Sequence, residues 1–230
     1  MKAKYVLLPL LIIALVQPCM SQKPSKWRIG ISANYGRDFY KRKIHSPEKI
    51  PGLVENFHSD YSWGAGLIAE RKISTDFSLT SRLGYSTQDL ANNTLCFDCG
   101  STSQWYQYER HHWIAGGIGI RGYLPSKSNF KLFAETGLQA DWFLGYTEAL
   151  NHNKEMHWNA DGYKRLTPSA NFGLGFQVKR WALLAEYQSN VARTFSRPAS
   201  SISGVSQTPK TSLLRSGFSL KTTFYFNRNL

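Results

Sequence analysis

The groups best suited to chemistry in this chain are six histidines, three cysteines and a thin scatter of carboxylates. His45, His58, His111, His112, His152 and His157 all fall in, or at the edges of, the segments between the strongly patterned stretches, which predicts solvated imidazoles on connectors. The stretch from His152 to His157, with Glu148, Glu155 and Asp161 nearby, offers metal-ligand atoms in a spacing that matches no strong motif. His111 and His112 are adjacent and would face opposite ways in a strand, so they serve one ligand cluster only if the chain bends between them. Cys96 and Cys99, spaced C-F-D-C among Asn, Thr and Ser, read first as a disulfide closing a small loop in an exported chain. The alternatives are a redox pair, which normally opens a helix in a βαβ unit, or half of a zinc site completed by His111 and His112. No catalytic set, cofactor or metal centre is expected.

Export is read from the N-terminus. Lys2 and Lys4 precede the apolar run Val6 to Val16 and then a Gln-Pro and small-residue region, the order of a secretory signal peptide. The predicted division is residues 1–21 as leader and 22–230 as the mature domain. As a helix the apolar run spans only about 16 Å, roughly half the hydrocarbon thickness. Cys19 leaves with this leader, and Pro18 disfavours reading it as a lipidated cysteine.

The elements that position these groups are strands. The chain has 230 residues, 42% hydrophobic, 14% aromatic and 19% charged, a composition that excludes disorder and collagen-like repeats. From Trp27 onward apolar residues recur with a period of 2. Ile29, Ile31, Ala33 and Tyr35 share one face against Arg28, Gly30, Ser32 and Asn34. Phe172, Leu174 and Phe176 oppose Asn171, Gly173 and Gly175, and Phe218, Leu220 and Phe224 oppose Gly217, Ser219 and Lys221. Eight such strands of about 10–12 residues suit a sheet tilted across a bilayer. Connectors alternate between short ones, near 72–76, 125–129 and 179–180, and ones of about 20 residues, so four long loops share one side and both termini the other.

Which face is the core follows from glycine and charge. Of 18 glycines, 12 fall on the polar parity, among them Gly30, Gly64, Gly66, Gly84, Gly117 and Gly175. Glycine weakens a strand and marks close approach, which points to a cramped interior. Glu70, Arg82, Arg121, Lys131, Glu135, Asp141, Glu186 and Lys221 lie on the same parity. Inside a narrow barrel such charges must pair, which predicts an interior charge network that plugs the lumen rather than a conducting pore. Aromatic residues cluster toward both strand ends: Trp27, Phe77, Phe130 and Trp181 at the short turns, and Tyr35, Trp63, Tyr85, Trp113, Trp142, Tyr146 and Tyr187 toward the long loops. Two such girdles are expected of a barrel in lipid.

The alternating strands and loops, the leader and the aromatic terminal strand Gly217-Phe218-Ser219-Leu220-Lys221-Thr222-Thr223-Phe224-Tyr225-Phe226 together resemble the small outer-membrane β-barrels of Gram-negative bacteria, of the OmpX and OmpA transmembrane type and the PorT-like family. The resemblance covers Trp27 to Leu230. It implies an all-β, eight-stranded antiparallel up-and-down transmembrane β-barrel with long extracellular loops and short periplasmic turns, placed in the outer membrane. The terminal strand looks like the signal read by the barrel insertion machinery, although the family pattern stops on an aromatic residue and this chain adds Asn227 to Leu230. Known deacylase barrels of this type carry a lipid-facing His-x-Ser, which is absent here, so no enzymatic activity is expected.

The formal charge of +13 invites a nucleic-acid reading. Without Lys2 and Lys4, 26 basic residues face 15 acidic ones, but the loops are close to neutral and the excess lies in the barrel and its short-turn rim. No nucleic-acid partner is expected. The fourth loop is the exception, where Arg193, Arg197 and Lys210 offer an anionic surface contact such as lipopolysaccharide. The leading expectation is a monomer with a structural or surface-interaction role, with lipid, lipopolysaccharide and proteins at the loops as partners. The alternatives are an outer-membrane secretion component of PorT-like kind and a secreted lipocalin-like carrier.

Overall fold

Residues with alternating apolar and small or polar side chains form strands because the pleat sends successive side chains to opposite faces. In the computed structural model this pattern builds β1 (Trp27–His45), β2 (Leu53–Lys72), β3 (Phe77–Cys96), β4 (Ser103–Tyr123), β5 (Phe130–Glu148), the two-residue β6 (Met156–His157), β7 (Leu166–Val178), β8 (Trp181–Asn190), β9 (Phe195–Pro198) and β10 (Lys210–Tyr225). The structure describes residues 27–45, 53–96, 103–125, 129–148, 156–158, 163–192, 195–198 and 210–226. The leader at 1–21, Cys99 and Arg193 lie outside the described residues, as do the side chains of Cys96, Arg197 and Lys210.

Eight strands pair antiparallel in the order β1-β2-β3-β4-β5-β7-β8-β10, and β10 pairs back onto β1. β6 adds to β5 and β9 to β10 at the long-loop end. The fold is therefore an all-β, closed, eight-stranded antiparallel barrel. Hydrogen-bonded neighbours run around the wall from Arg28 through Glu70, Thr80, Gly119, Gly137, Asn171, Gln188 and Gly217 to Asp38, ten residues further along β1. That stagger fixes the strand tilt, and with eight strands it leaves an interior just wide enough for side chains to fill.

The apolar rows face outward. Ile118 is 63% exposed, Leu138 63%, Leu174 60% and Phe218 62%, while Glu70 and Arg121 are buried. A lipocalin-like carrier would bury those rows, so this orientation overturns that alternative. The aromatic ends follow the expected placement with two corrections. Trp113 is buried in the lumen, because it shares the inward parity of β4 with His111 and Arg121, and Tyr146 pairs opposite His111 on the same inward face, because the register shifts by one residue between His112 and Trp113. The strands are also longer than their hydrophobic pattern. β1 runs to His45 and β2 begins at Leu53, so connectors expected at about 20 residues reduce to 46–52 and 97–102 in the first and second long-loop hairpins. Strands of this length exceed what a bilayer needs. Ladder hydrogen bonds continue where both faces are wet, whereas the period-2 signal fades there.

The inward glycines are required by the curvature of the wall. A Cβ at Gly66 would come within 2.5 Å of the Leu83 carbonyl oxygen and 2.7 Å of the Gly84 Cα, both backbone atoms that cannot yield. At the outward Gly116 an added Cβ would meet only the Leu83 Cδ1 at 4.0 Å. Gly66→Ala is therefore expected to destabilise by about 1–3 kcal/mol, the range for overpacking. Gly116→Ala should stay within about 0.5 kcal/mol. Urea unfolding midpoints in lipid vesicles compare the two.

Candidate functional site

Inward positions of seven strands carry a continuous string of ion pairs across the lumen. Glu70 on β2 accepts from Arg28 of β1 at 2.8 Å and from Arg121 of β4 at 3.0 Å. Arg121 continues to Glu135 of β5 at 2.7 Å, and Glu135 also accepts from Arg82 of β3. Arg82 reaches Glu186 of β8 at 2.7 Å, and Lys221 of β10 closes the string on Glu186 at 2.5 Å. Four cations thus alternate with three carboxylates, each carboxylate lying between two cations.

Neutral groups complete the hydrogen bonding that burial demands. Tyr123 and Tyr225 each donate a hydroxyl to Glu70 at 2.7 Å, so that its two oxygens accept from four donors. Thr80 donates to Glu135 at 3.0 Å and Asn171 to Glu186 at 3.2 Å. The guanidinium planes lie on rings as well, Arg121 at 4.1 Å over Phe133 and Arg28 at 4.3 Å over Tyr225. Beside them Ile68, Phe133, Ala182, Leu184 and Tyr225 form a small buried apolar cluster. This packing supplies the excellent geometry and extra hydrogen bonds without which buried ion pairs do not repay their desolvation.

On the long-loop side of the string lies a cavity of about 80 Å³, lined by small and polar groups including Asn34, Ser86, Gln139, Gln188 and Ser219. It is polar and roomy enough for several waters. Above it Asp141 accepts from Gln139 at 2.6 Å and from Gln188 at 3.0 Å, and Arg215 pairs with Asp38 at 3.3 Å. Arg215 also lies 5.3 Å over the Trp113 ring, and Trp113 packs on Phe143 with centroids 4.8 Å apart. His111 is buried among these rings, with its Nε2 2.8 Å from Glu109, which also accepts from the Tyr163 hydroxyl at 2.9 Å. On the outer face His112 Nδ1 lies 2.5 Å from the Tyr85 hydroxyl, and Arg110 pairs with Asp89 at 2.7 Å.

Of the eight interior charges read from the sequence, Glu70, Arg82, Arg121, Glu135, Glu186 and Lys221 belong to the string. Lys131 and Asp141 do not. Lys131 lies at the short-turn end with its Nζ 5.8 Å from the Tyr123 ring, and Asp141 takes amide and hydroxyl partners instead of a cation. Arg28, placed on the short-turn rim by its sequence position, is an inward member of the string. Arg215, Asp38, Tyr123 and Tyr225 also share the inward parity of their strands, a signal present in the alternation itself.

Two expectations about histidine are corrected. His111 and His112 lie in β4, not in a solvated connector, and His111 is fully buried. The pair faces opposite sides of the wall, so the reading in which both complete a zinc site with the cysteines does not hold. Among the described residues no group of three or more His, Cys, Asp or Glu is arranged to hold a metal ion. The candidate anionic contact is described only in backbone: Lys210 of β10 pairs with Pro198 and Thr211 with Arg197, so β9 folds back onto the last strand.

Removing one carboxylate from the string leaves buried cations uncompensated. Glu135→Gln is expected to destabilise by about 3–5 kcal/mol. Lys131→Gln, outside the string, should cost less than about 1 kcal/mol. Equilibrium unfolding in the same vesicles separates the two outcomes.

No protein-family model matches the chain, and no curated protein matches it. Among solved structures it is similar to the outer membrane protein OprG from Pseudomonas aeruginosa, at 12% identity and a TM-score of 0.51, over 86% of this chain and 95% of that one. Weaker similarities join it to the outer membrane protein AlkL, at 11% identity and a TM-score of 0.42 over 91% of this chain and 97% of that one, and to Ail, the attachment invasion locus protein of Yersinia pestis, at 11% and 0.35 over 85% and 98%. The last two carry no weight on their own. The likeness to OprG is one of fold, that of the small outer-membrane β-barrels.

Proposed function

We propose that this chain is an integral outer-membrane β-barrel whose lumen is closed, and which acts through structure and surface contacts at its long-loop end, without catalysis. The observation that carries this reading is the ion-pair string, which runs from β1 to β10 and joins non-adjacent strands through the centre of the lumen. Ions or solutes passing through would have to displace desolvated, paired charges, a route far costlier than passage through a water-filled channel. The membrane setting is supported by the outward apolar rows, which would form a very large exposed patch in water. The non-catalytic reading rests on the absence of a His-x-Ser pair. His111 is engaged with Glu109 inside the lumen.

In planar lipid bilayers the wild-type chain is expected to give no stable large conductance. Arg82→Ser, which removes the side chain joining Glu135 to Glu186, should produce flickering openings. Stable large channels in the wild type would overturn the closed lumen, and recovery from membranes by carbonate washing alone would overturn the membrane setting. Pull-down of a defined secretion complex would replace the surface role with the PorT-like one.

A further inference from the structure

The basic excess concentrates at one end. In sequence, the short turns, the last two residues of β2 and the segments flanking the barrel termini hold eight basic residues, from Lys23 to Arg228, against one acid, Asp76. Arg71 and Lys179 are exposed there, and Lys72 and Arg180 half-buried. Among the described residues none of these four makes an ion pair. The lumen does not absorb this charge, since Glu70, Glu135, Glu186 and Asp38 are already paired with Arg28, Arg82, Arg121, Lys221 and Arg215, and Asp141 accepts from Gln139, Ser169 and Gln188.

Position decides what the rim meets. These cations stand at the level of the short-turn aromatics: Phe77 is 54% exposed, Trp181 56% and Phe226 52%, and Arg71 lies 5.6 Å over the Trp27 ring. Exposed aromatics at a strand end mark the headgroup region of a barrel in lipid. The cations are also spread around the circumference, Arg71 and Lys72 on β2 and Lys179 and Arg180 between β7 and β8, half the wall away. A protein partner needs one contiguous face, whereas a lipid leaflet surrounds the barrel. Lys and Arg beside a membrane surface attract anionic headgroups, an attraction that falls off within a Debye length.

We infer that the short-turn rim binds the headgroups of anionic phospholipids, as a basic collar that fixes the barrel's depth in that leaflet. This rests on the membrane-barrel reading above. The probe is vesicles of phosphatidylcholine, with or without a quarter of it replaced by phosphatidylglycerol, and the readout is the temperature at which the full-length folded chain loses its anomalous gel mobility. Phosphatidylglycerol is expected to raise that temperature by several degrees at low salt and by much less at high salt. Combining Arg71→Gln, Lys72→Gln, Lys179→Gln and Arg180→Gln, half of the eight rim cations, should cut the rise by about half, whereas Arg37→Gln at the opposite end should keep it in full. If the fourfold variant does not fold, Lys179→Gln with Arg180→Gln should still remove about a quarter of it, in proportion to the charges lost. Equal temperatures in the two vesicles, a rise undiminished in the fourfold variant, or the same rise from inorganic phosphate in pure phosphatidylcholine would each overturn the collar. Failure to insert into either vesicle would instead overturn the membrane-barrel reading.

Discussion

A sheet surrounded by lipid must satisfy every backbone N–H and C=O within itself, because hydrocarbon offers no partners. Closure of β10 onto β1 meets that demand, and it sets what the interior can be. With eight strands and a stagger of ten residues the wall curves so tightly that inward Cβ atoms approach the neighbouring strand's carbonyls. Glycine on the inward parity follows from this curvature. So does the blocked centre at the level of the ion-pair string, where the inward side chains are long enough to meet across it.

Filling that centre with charge carries a penalty that apolar side chains would avoid, and replacing buried ion pairs with well-packed hydrophobic residues is often neutral or stabilising. Ion pairs here do something an apolar plug would do less well. Ladder hydrogen bonds join only neighbouring strands, whereas Arg121 ties β4 to β2 and Arg82 ties β3 to both β5 and β8. These links connect opposite walls and resist flattening of the barrel's cross-section. Trp113 of β4, with Arg215 of β10 over its ring and Asp38 of β1 paired to Arg215, gives the long-loop end a second crossing of the lumen, so the polar cavity is bounded on both sides.

Much of this is legible in the chain itself. Alternation across eight segments gives the strands, and glycine and charge sharing one parity give the inside, because pleat period and curvature act residue by residue. What stayed hidden is what depends on stagger. Nothing local in the sequence says that Arg28 and Glu70, forty-two positions apart, are hydrogen-bonded neighbours, or that Lys131 falls below the string while Arg121 falls within it. Residue type alone points Trp113 to the interface, where indoles are favoured. Its parity already assigned it to the lumen. The strand extensions beyond lipid leave no trace in the pattern, because wet-faced strands lose the hydrophobic contrast on which periodicity depends.

Stagger also explains why a particular set of charges is used instead of any neutral polar filling. A register slip of one residue turns apolar rows inward and is excluded by the pattern alone. A slip of two residues preserves the faces, keeps glycine inward and leaves the ladder intact, so neither alternation nor backbone pairing opposes it. It moves an inward side chain about 6.6 Å along its strand, at roughly 3.3 Å per residue. That displacement would part Glu70 from Arg28 and leave Glu135 without one of its two cations, each stranded in a medium where an unpaired charge is prohibitive. The string therefore penalises the misregistered barrels that hydrophobic patterning tolerates, and the stability forgone by using charge is exchanged for a single closure.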